Sequence, residues 1–208
     1  MNKIYRKNVK GQNILLIGGS GFIGSHLAEE LLVRKIKKLV IIDNLSVGKK
    51  ENLKNIFKKI IFIKKNAENK EMLEQVIKRY KISCVFNLAT IALPFSFKFP
   101  RKTFETNVII ALNLLELLRN KKIKTLCHFS TSEVYGTAKY IPMNEEHPLN
   151  PTTTYAAGKL AADKAIESYF KMFNLDAFIV RPFNNYGPRQ LISIDEIGII
   201  PKTIKRIY

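Results

Sequence analysis

Apolar residues along this chain fall into short continuous runs, separated by longer stretches in which they recur every three or four positions. The short runs are rich in β-branched residues and occupy positions 13–17, 39–42, 60–63, 84–88, 125–130 and 177–182. Because they lack strict polar alternation, they predict strands that are buried on both faces of a sheet. The longer stretches predict helices over 22–34, 71–80, 101–119 and 154–173.

The order of these elements indicates the fold class. Strands that alternate with helical crossovers form a parallel sheet with helices on both faces, so we expect an α/β, doubly wound parallel sheet of the Rossmann-like kind. The length of 208 residues suits one domain with a sizeable core. The crossover over 44–59 is the least regular and predicts a loop with a short helical turn.

Charge and composition narrow the function classes. The formal net charge is +18, but the basic residues are spread along the chain without interleaved aromatic residues, so we expect no nucleic-acid partner. No apolar run is long enough to cross a bilayer, and no signal-peptide segment follows the basic start at 1–11. Cys84 and Cys127 lie within strand-like runs and suit inert core positions. We therefore expect a cytoplasmic protein with no membrane partner.

The segment LLIGGSGFIGSHL, residues 15–27, places glycines at the junction of the first predicted strand and helix. Gly18, Gly21 and Gly24 follow the spacing G-x-x-G-x-x-G. A tight turn alone needs one or two glycines, whereas three at this spacing let backbone N–H groups approach a pyrophosphate at the helix N-terminus. The sequence therefore predicts a dinucleotide site at this junction.

Asp43, at the end of the second predicted strand, indicates which dinucleotide binds. A carboxylate in this position accepts hydrogen bonds from the adenosine ribose diol. A 2′-phosphate beside it would bring like charges within a few ångströms and would cost on the order of 1 kcal/mol or more. No arginine follows Asp43 directly, so the expected cofactor is NAD.

A second group of polar residues follows the fifth predicted strand. Tyr155 and Lys159 are four residues apart and share one face of a predicted helix. Such pairs are common on helices, but beside a nucleotide site an ammonium that lowers the phenol pKa would make tyrosine a base at neutral pH. The hydroxyl of Thr131 could then hold a substrate alcohol against the phenolate. We expect Lys159, helped by an oxidised nicotinamide, to lower the pKa of Tyr155 in this way.

Seven segments carry a family resemblance. They are GGSGFIG (18–24), DNLSVG (43–48), NLAT (87–90), TNV (106–108), STSEVYG (130–136), YAAGK (155–159) and RPFNNYGPRQ (181–190). Together they resemble the extended short-chain dehydrogenase/reductase family, in its NAD-dependent nucleotide-sugar epimerase, dehydratase and decarboxylase branch. The resemblance covers nearly the whole chain.

The resemblance implies a role for each matching residue. The implied catalytic residues are Thr131, Glu133, Tyr155 and Lys159, and the implied substrate contacts are Thr131, Ser132 and Asn184. The implied cofactor contacts are Gly18, Gly21, Phe22, Ile23, Gly24, Asp43, Asn44, Asn66, Ala67, Leu88, Ala89, Thr90, Asn107, Tyr155 and Lys159. The three histidines lack metal-ligand spacing, and no metal is expected.

The shared reaction of the branch is oxidation of sugar C4 to a 4-keto intermediate, so the resemblance implies an epimerase or 4,6-dehydratase acting on a nucleotide sugar. Many 4,6-dehydratases have Asp-Glu after the threonine, whereas this chain has Ser132-Glu133. That pair also occurs in uronic acid decarboxylases, so a nucleotide-uronic acid decarboxylase stays open. Asn66 stands where the branch usually has an adenine-binding aspartate.

The resemblance also bears on organisation. Relatives continue beyond the position of Tyr208 into a substrate lobe, so it implies an NAD-binding domain over 1–190 and the start of a truncated substrate-binding region over 191–208, with the lobe largely absent. A truncated non-catalytic NAD-binding protein is therefore a further alternative. The predicted helix 101–119 is apolar nearly all round, which favours a homodimer unless a further lobe covers it.

Overall fold

A computed structural model of the chain describes residues 8–191 and 199–207. Within them six strands form one parallel sheet: β1 Asn13–Ile17, β2 Lys38–Asp43, β3 Ile61–Lys64, β4 Cys84–Asn87, β5 Thr125–Phe129 and β6 Ala177–Val180. Their order in the sheet is β3-β2-β1-β4-β5-β6. The predicted doubly wound parallel sheet is confirmed.

The strand order places one crevice at the centre of the sheet. From β1 the chain winds outward through β2 and β3, then returns to the other side of β1 as β4. The loops after β1 and β4 therefore leave the sheet in opposite directions and open a gap above its carboxyl edge. Ligands of open α/β sheets bind at such a reversal.

Six helices accompany the sheet in the described residues: α1 Phe22–Val33, α2 Lys70–Tyr80, α3 Leu93–Lys98, α4 Pro100–Arg119, α5 Thr154–Phe173 and α6 Ile199–Ile207. The four predicted helices correspond to α1, α2, α4 and α5. Side chains fix two of the starts. Asn69 accepts a hydrogen bond from the backbone of Met72, and Thr153 accepts one from Ala156. The predicted helical turn in the 44–59 crossover is two 3-10 segments, at Lys50–Leu53 and Phe57–Lys59.

Each face of the sheet has its own apolar core. On β1, Leu15 and Ile17 pack with residues of α2, α4 and α5, whereas Ile14 and Leu16 pack with α1 and the first 3-10 segment. All four side chains are at most 1% exposed. Burial on both faces explains why the strand sequences show continuous apolar runs rather than alternation.

Several sequence predictions have outcomes in the fold. Cys84 and Cys127 are buried as predicted, and burial raises the pKa of Cys127 to about 12. The pattern missed α3, which has six residues, and α6. Residues 192–198 and 208 of the predicted 191–208 region lie outside the described residues. None of the described helices has the length and apolar character needed to cross a bilayer.

Candidate active site

A cavity of about 490 Å³ lies above the carboxyl ends of the central strands. Nearly all of the predicted site residues line it: Gly18, Gly21, Phe22, Ile23, Gly24, Asp43, Asn44, Asn66, Ala67, Leu88, Ala89, Thr90, Thr131, Ser132, Glu133, Tyr155, Lys159 and Asn184. These residues come from seven separate loops or helix starts. The fold thus brings the glycine segment and the tyrosine–lysine pair to one space.

The glycine segment forms a tight turn whose glycines meet different surroundings. A Cβ on Gly24 would lie 2.2 Å from the carbonyl oxygen of Gly18, so packing alone requires glycine there. A Cβ on Gly21 would approach only that same oxygen, at 3.4 Å, and would project where no protein atom competes. A bare backbone at Gly21 is therefore not explained by protein packing.

The start of α1 provides donors at this turn. Gly21 is its N-cap residue and makes no side-chain cap bond, and the first turn has no acidic residue. The first N–H groups of a helix have no intrahelical acceptor, and the helix dipole adds positive potential there. The turn and helix start therefore form a cradle that fits a pyrophosphate.

Asp43 is held in place by backbone donors. Its Oδ2 accepts from the N–H of Ser20 at 3.0 Å, and its Oδ1 accepts from the N–H of Leu45 at 2.8 Å. The carboxylate is 8% exposed and lines the cavity. Each oxygen has a second lone pair, so the group can still accept from a ribose diol. The residues present thus fit a dinucleotide with a free 2′-hydroxyl.

At the far side of the adenosine region two amides meet. Asn44 donates through Nδ2 to Oδ1 of Asn66 at 2.7 Å. This bond joins the residue after β2 to the turn after β3 and shapes the cavity wall. It leaves the amide group of Asn66 as a donor for an adenine ring nitrogen.

The tyrosine–lysine pair lies at the other end of the cavity. Thr153 caps α5, which places Tyr155 in the first turn and Lys159 one turn later. Tyr155 hydrogen-bonds with the hydroxyls of Thr131 and Thr90. Lys159 is 2% exposed and donates through Nζ to the carbonyl oxygen of Phe129 at 2.8 Å.

The protein groups around Tyr155 act on its ionisation in opposing directions. Burial raises the pKa of its phenol, the charge of Glu133 raises it further, and the bonds with Thr131 and Thr90 oppose these effects. Burial lowers the pKa of Lys159 to about 8, although Asp163 opposes this shift. Among the protein groups, desolvation of the phenol outweighs its hydrogen bonds. The expected lowering involves an oxidised nicotinamide together with Lys159 and stays a prediction.

Asn107 requires a correction. It was predicted to contact the cofactor, but it is 2% exposed and does not line the cavity. Its Oδ1 accepts from the hydroxyl of Thr90 and from the N–H of Ile91, both at 3.0 Å. Asn107 therefore positions the loop after β4, whose Thr90 bonds with Tyr155.

The sequence analysis overlooked other cavity residues. One wall of the cavity is apolar and consists of Ile91, Ala92, Leu93 and Pro94. These residues were not predicted, because the sequence motifs that indicated the site are made mainly of glycine and polar residues. Gln190 also lines the cavity, and its buried Oε1 has no partner among the described residues. The sequence feature that could have indicated Gln190 is its position at the end of the segment RPFNNYGPRQ, residues 181–190.

Comparison with known proteins identifies the family. Residues 15–208 match the sequence profile of the GDP-mannose 4,6 dehydratase family. The chain belongs to this family. This agrees with the resemblance to nucleotide-sugar dehydratases and epimerases noted in the sequence.

Curated relatives in the family include a dehydratase and a decarboxylase. The dTDP-D-glucose 4,6-dehydratase of Dictyostelium discoideum is 37% identical over 209 residues, which cover 93% of this chain and 47% of the relative. The UDP-glucuronic acid decarboxylase 2 of Arabidopsis thaliana is 33% identical over 189 residues, which cover 88% of this chain and 41% of the relative. The chain thus spans about half the length of these relatives.

Solved structures of the family share the fold. A dTDP-glucose 4,6-dehydratase from Bacillus anthracis in complex with NAD has a TM-score of 0.82 and 33% identity, covering 94% of this chain and 61% of that one. A UDP-N-acetylglucosamine 4-epimerase from Methanobrevibacter ruminantium, in complex with UDP-N-acetylmuramic acid, has a TM-score of 0.87 and 35% identity, covering 95% and 63%.

Proposed function

We propose that the protein is an NAD-dependent nucleotide-sugar epimerase or 4,6-dehydratase that oxidises C4 of the sugar. One observation carries the proposal. A cradle for a dinucleotide and a Thr131–Tyr155–Lys159 group line the same cavity, at opposite ends. A relative crystallised with NAD and relatives named as dehydratases and epimerases support it.

The cofactor end of the cavity selects NAD. The start of α1 holds the pyrophosphate, Asp43 accepts from the adenosine ribose, and Asn66 contacts adenine. Tyr155 and Lys159 reach the nicotinamide ribose from α5. When bound, NAD supplies the acceptor for the hydride that leaves sugar C4.

The chemical end of the cavity handles the proton. Tyr155 takes the proton of the C4 hydroxyl, and Thr131 aligns that hydroxyl by a hydrogen bond. The phenol pKa must fall in the loaded site, because the protein groups alone raise it. The charges of Lys159 and of an oxidised nicotinamide both act in that direction.

The step after C4 oxidation depends on the residues beside Thr131. The 3-10 segment Ser132–Tyr135 places Glu133 in the cavity wall. Glu133 is suited to remove the C5 proton of a 4-keto sugar, which elimination of the C6 hydroxyl requires. In relatives with Asp-Glu, the aspartic acid is available to protonate the C6 hydroxyl as it leaves, and Ser132 cannot supply such an acid. The proposed function therefore includes epimerisation as well as dehydration.

Decarboxylation of a nucleotide uronic acid is the second candidate. It is supported by the Ser132-Glu133 pair and by relatives named as UDP-glucuronic acid decarboxylases. The 4-keto intermediate would lose C6 as carbon dioxide. A non-catalytic NAD-binding protein is the remaining alternative from a different functional class.

The deciding experiment combines binding and product analysis. Calorimetry of the 208-residue chain should show NAD binding, and incubation with UDP-, dTDP-, GDP- and CDP-sugars should give an epimer or a 4-keto-6-deoxy product by mass spectrometry and chromatography. Loss of carbon dioxide from UDP-glucuronic acid would support the decarboxylase instead. In a chain of natural length, NAD binding without conversion of any sugar would support the non-catalytic alternative.

A homodimer formed through α4 is also proposed. Three apolar side chains of this helix are exposed in the chain: Phe104 (39%), Ile109 (41%) and Leu112 (36%). A second copy would bury them in a symmetric contact. Light scattering should give twice the chain mass, and Leu112→Glu should give the monomer mass. A monomeric parent protein would contradict the dimer.

A cytoplasmic location stays a prediction.

A further inference from the structure

A buried group of charged side chains lies directly behind the tyrosine–lysine pair. Asp163 follows Lys159 by one turn of α5 and is 0% exposed. Arg181 reaches it from the residue after β6, and Ser130 reaches it from the residue after β5. None of these three residues was assigned a role in the proposed reaction.

The contacts of Asp163 connect three elements. Its Oδ2 accepts from the hydroxyl of Ser130 and from Nε of Arg181, both at 2.9 Å. Arg181 also donates through Nη1 to the hydroxyl of Tyr135 at 3.1 Å, and its Nη2 lies 3.8 Å from a carboxylate oxygen of Glu167. A single carboxylate therefore ties α5 to the ends of β5 and β6.

The second oxygen of Asp163 is not used by these bonds. Oδ1 is buried and has no hydrogen-bond partner among the described residues. Leaving such an oxygen without a partner costs free energy unless a nearby charge compensates it. Lys159, on the same face of α5, is a cation that acts on Asp163, together with Arg181.

We propose that Asp163 is a positioning residue: its carboxylate keeps the buried amine of Lys159 charged and, through Arg181, fixes the start of the substrate-facing segment 182–185. The proposal rests on the proposed function, because that function needs a charged Lys159 beside Tyr155. Asp163 itself does not line the cavity.

The surroundings of Lys159 explain why it needs this anion. Its hydrogen-bond acceptor, the carbonyl oxygen of Phe129, is neutral. Burial lowers the pKa of Lys159 and the charge of Asp163 opposes that effect. From β5, His128 faces the same region, and burial together with the charge of Lys159 keeps its pKa well below the ordinary value. His128 therefore adds no second positive charge beside Lys159.

Other charged groups near this region lie further along the network. Glu133 acts on Tyr155 from the 3-10 segment, and Arg181 adds positive charge from the end of β6. Glu167 offsets part of the charge of Arg181. Loss of the Asp163 charge would leave Lys159 and Arg181 as like charges with no shared counterion.

The test follows the ionisation of Lys159 directly. In the 208-residue chain with ¹³C-labelled lysine, the Cε resonance of Lys159 is assigned by its absence in Lys159→Arg and is titrated between pH 6 and about 11 by NMR. Asp163→Asn should move its midpoint below that of the parent chain. Glu167→Gln, which removes another carboxylate from the same network, should leave it unchanged.

The outcomes separate this proposal from the proposed function, because the titration needs neither cofactor nor turnover. An unchanged Lys159 midpoint in Asp163→Asn would overturn the proposal, even if the variant melts at a lower temperature. If Asp163→Asn does not fold, Asp163→Glu replaces it. Glutamate keeps the charge, so the proposal requires a midpoint close to that of the parent, and a lowered midpoint would overturn it.

A turnover measurement adds a readout that a structural role would not move. With any sugar that the protein oxidises, Asp163→Asn should shift the acid limb of the kcat/KM profile to higher pH, since a neutral Lys159 no longer stabilises the phenolate. Asp163→Glu should restore the parent profile. An acid limb that stays in place in Asp163→Asn would contradict the proposal.

Discussion

At the dinucleotide end of the cavity, backbone contacts hold the glycine turn and Asp43 in place, whereas at the sugar end the segment 183–185 is exposed. At the first end, the glycine turn packs against the loop after β4, and Asp43 is fixed by two N–H groups. At the second end, Phe183 is 55% exposed, and Asn184 is exposed as well. Both ends belong to one cavity of the same sheet.

This difference indicates how much of the chemistry the fold itself determines. A buried turn tolerates few changes, because each atom of the turn contacts another. An exposed segment is free to vary, since its residues stabilise little else. These residues therefore determine which cofactor binds more strictly than they determine which sugar binds. Substitutions at the two ends should have different consequences.

The largest effect is expected at Tyr155, in the tyrosine–lysine pair. Tyr155→Phe removes the proposed base, so sugar oxidation should fall by roughly 10²–10⁴-fold, as is typical when a general base is lost. NAD affinity should change only a few-fold. Formation of NADH from a responsive nucleotide sugar, followed by absorbance, measures the first quantity, and calorimetry measures the second. A rate within tenfold of the parent would show that another group takes the proton.

The next effect concerns stability rather than turnover. The pKa of Lys159 is about 8 in the folded chain and 10.5 in its ordinary state. At Lys159 the folded chain therefore binds fewer protons than the unfolded chain between these values, and the contribution of this group to stability rises as pH rises through that range. The rise amounts to about 3 kcal/mol.

Lys159→Met should abolish this rise while other groups titrate as before. Urea unfolding at pH 7.5 and at pH 10.5, for the parent and the variant, gives the difference. If the free energy of unfolding of both proteins changed equally between the two pH values, Lys159 would not be a charged group held in the core.

A matched pair of glycine variants tests the cofactor end. Gly24→Ala would place a Cβ against the carbonyl of Gly18 and should lower the melting temperature, because overpacking costs about 1–3 kcal/mol. Gly21→Ala meets no comparable obstacle. It should keep the melting temperature close to that of the parent and weaken NAD binding about 10–100-fold, since charge-assisted bonds to a pyrophosphate are each worth about 1.5–3 kcal/mol. Unchanged NAD affinity in Gly21→Ala would place the pyrophosphate elsewhere.

The sequence predicted the cofactor end well for the same physical reason. The predicted strand 13–17 has the same bounds as β1 in the structure. A strand that is buried on both faces needs apolar residues at nearly every position, so its sequence is a continuous apolar run. Glycine spacing and Asp43 are local features of consecutive elements. Local features survive in a sequence pattern, and in the fold these residues line one cavity.

Long-range contacts were not predictable in this way. Asn107 was expected to contact the cofactor, yet it holds the loop after β4 from inside the protein. Asp163 and Arg181 are 18 residues apart in the chain, and only the folded sheet brings them together. The raised pKa of Tyr155 likewise depends on burial, which the spacing of two residues on a helix does not describe.

Asp43 gives a smaller but more specific effect. Asp43→Ala removes the acceptor for the ribose diol and the negative charge that opposes a 2′-phosphate. NAD affinity should fall about tenfold, which corresponds to one net hydrogen bond of about 1.4 kcal/mol, and the preference for NAD over NADP should narrow. Calorimetric titration of both cofactors with the parent and the variant measures this ratio. Equal affinity of the parent for NAD and NADP would remove the basis of the assignment.

The smallest effect is expected at the exposed end. Asn184→Ala removes an exposed amide, and surface substitutions of this kind usually change stability by less than about 0.5 kcal/mol. We expect an unchanged melting temperature, unchanged NAD affinity and a KM for the nucleotide sugar that rises several-fold, because only a sugar-nucleotide contact is lost. If Asn184→Ala weakened NAD binding as strongly as Gly21→Ala, the separation of the cavity into a cofactor end and a sugar end would be wrong.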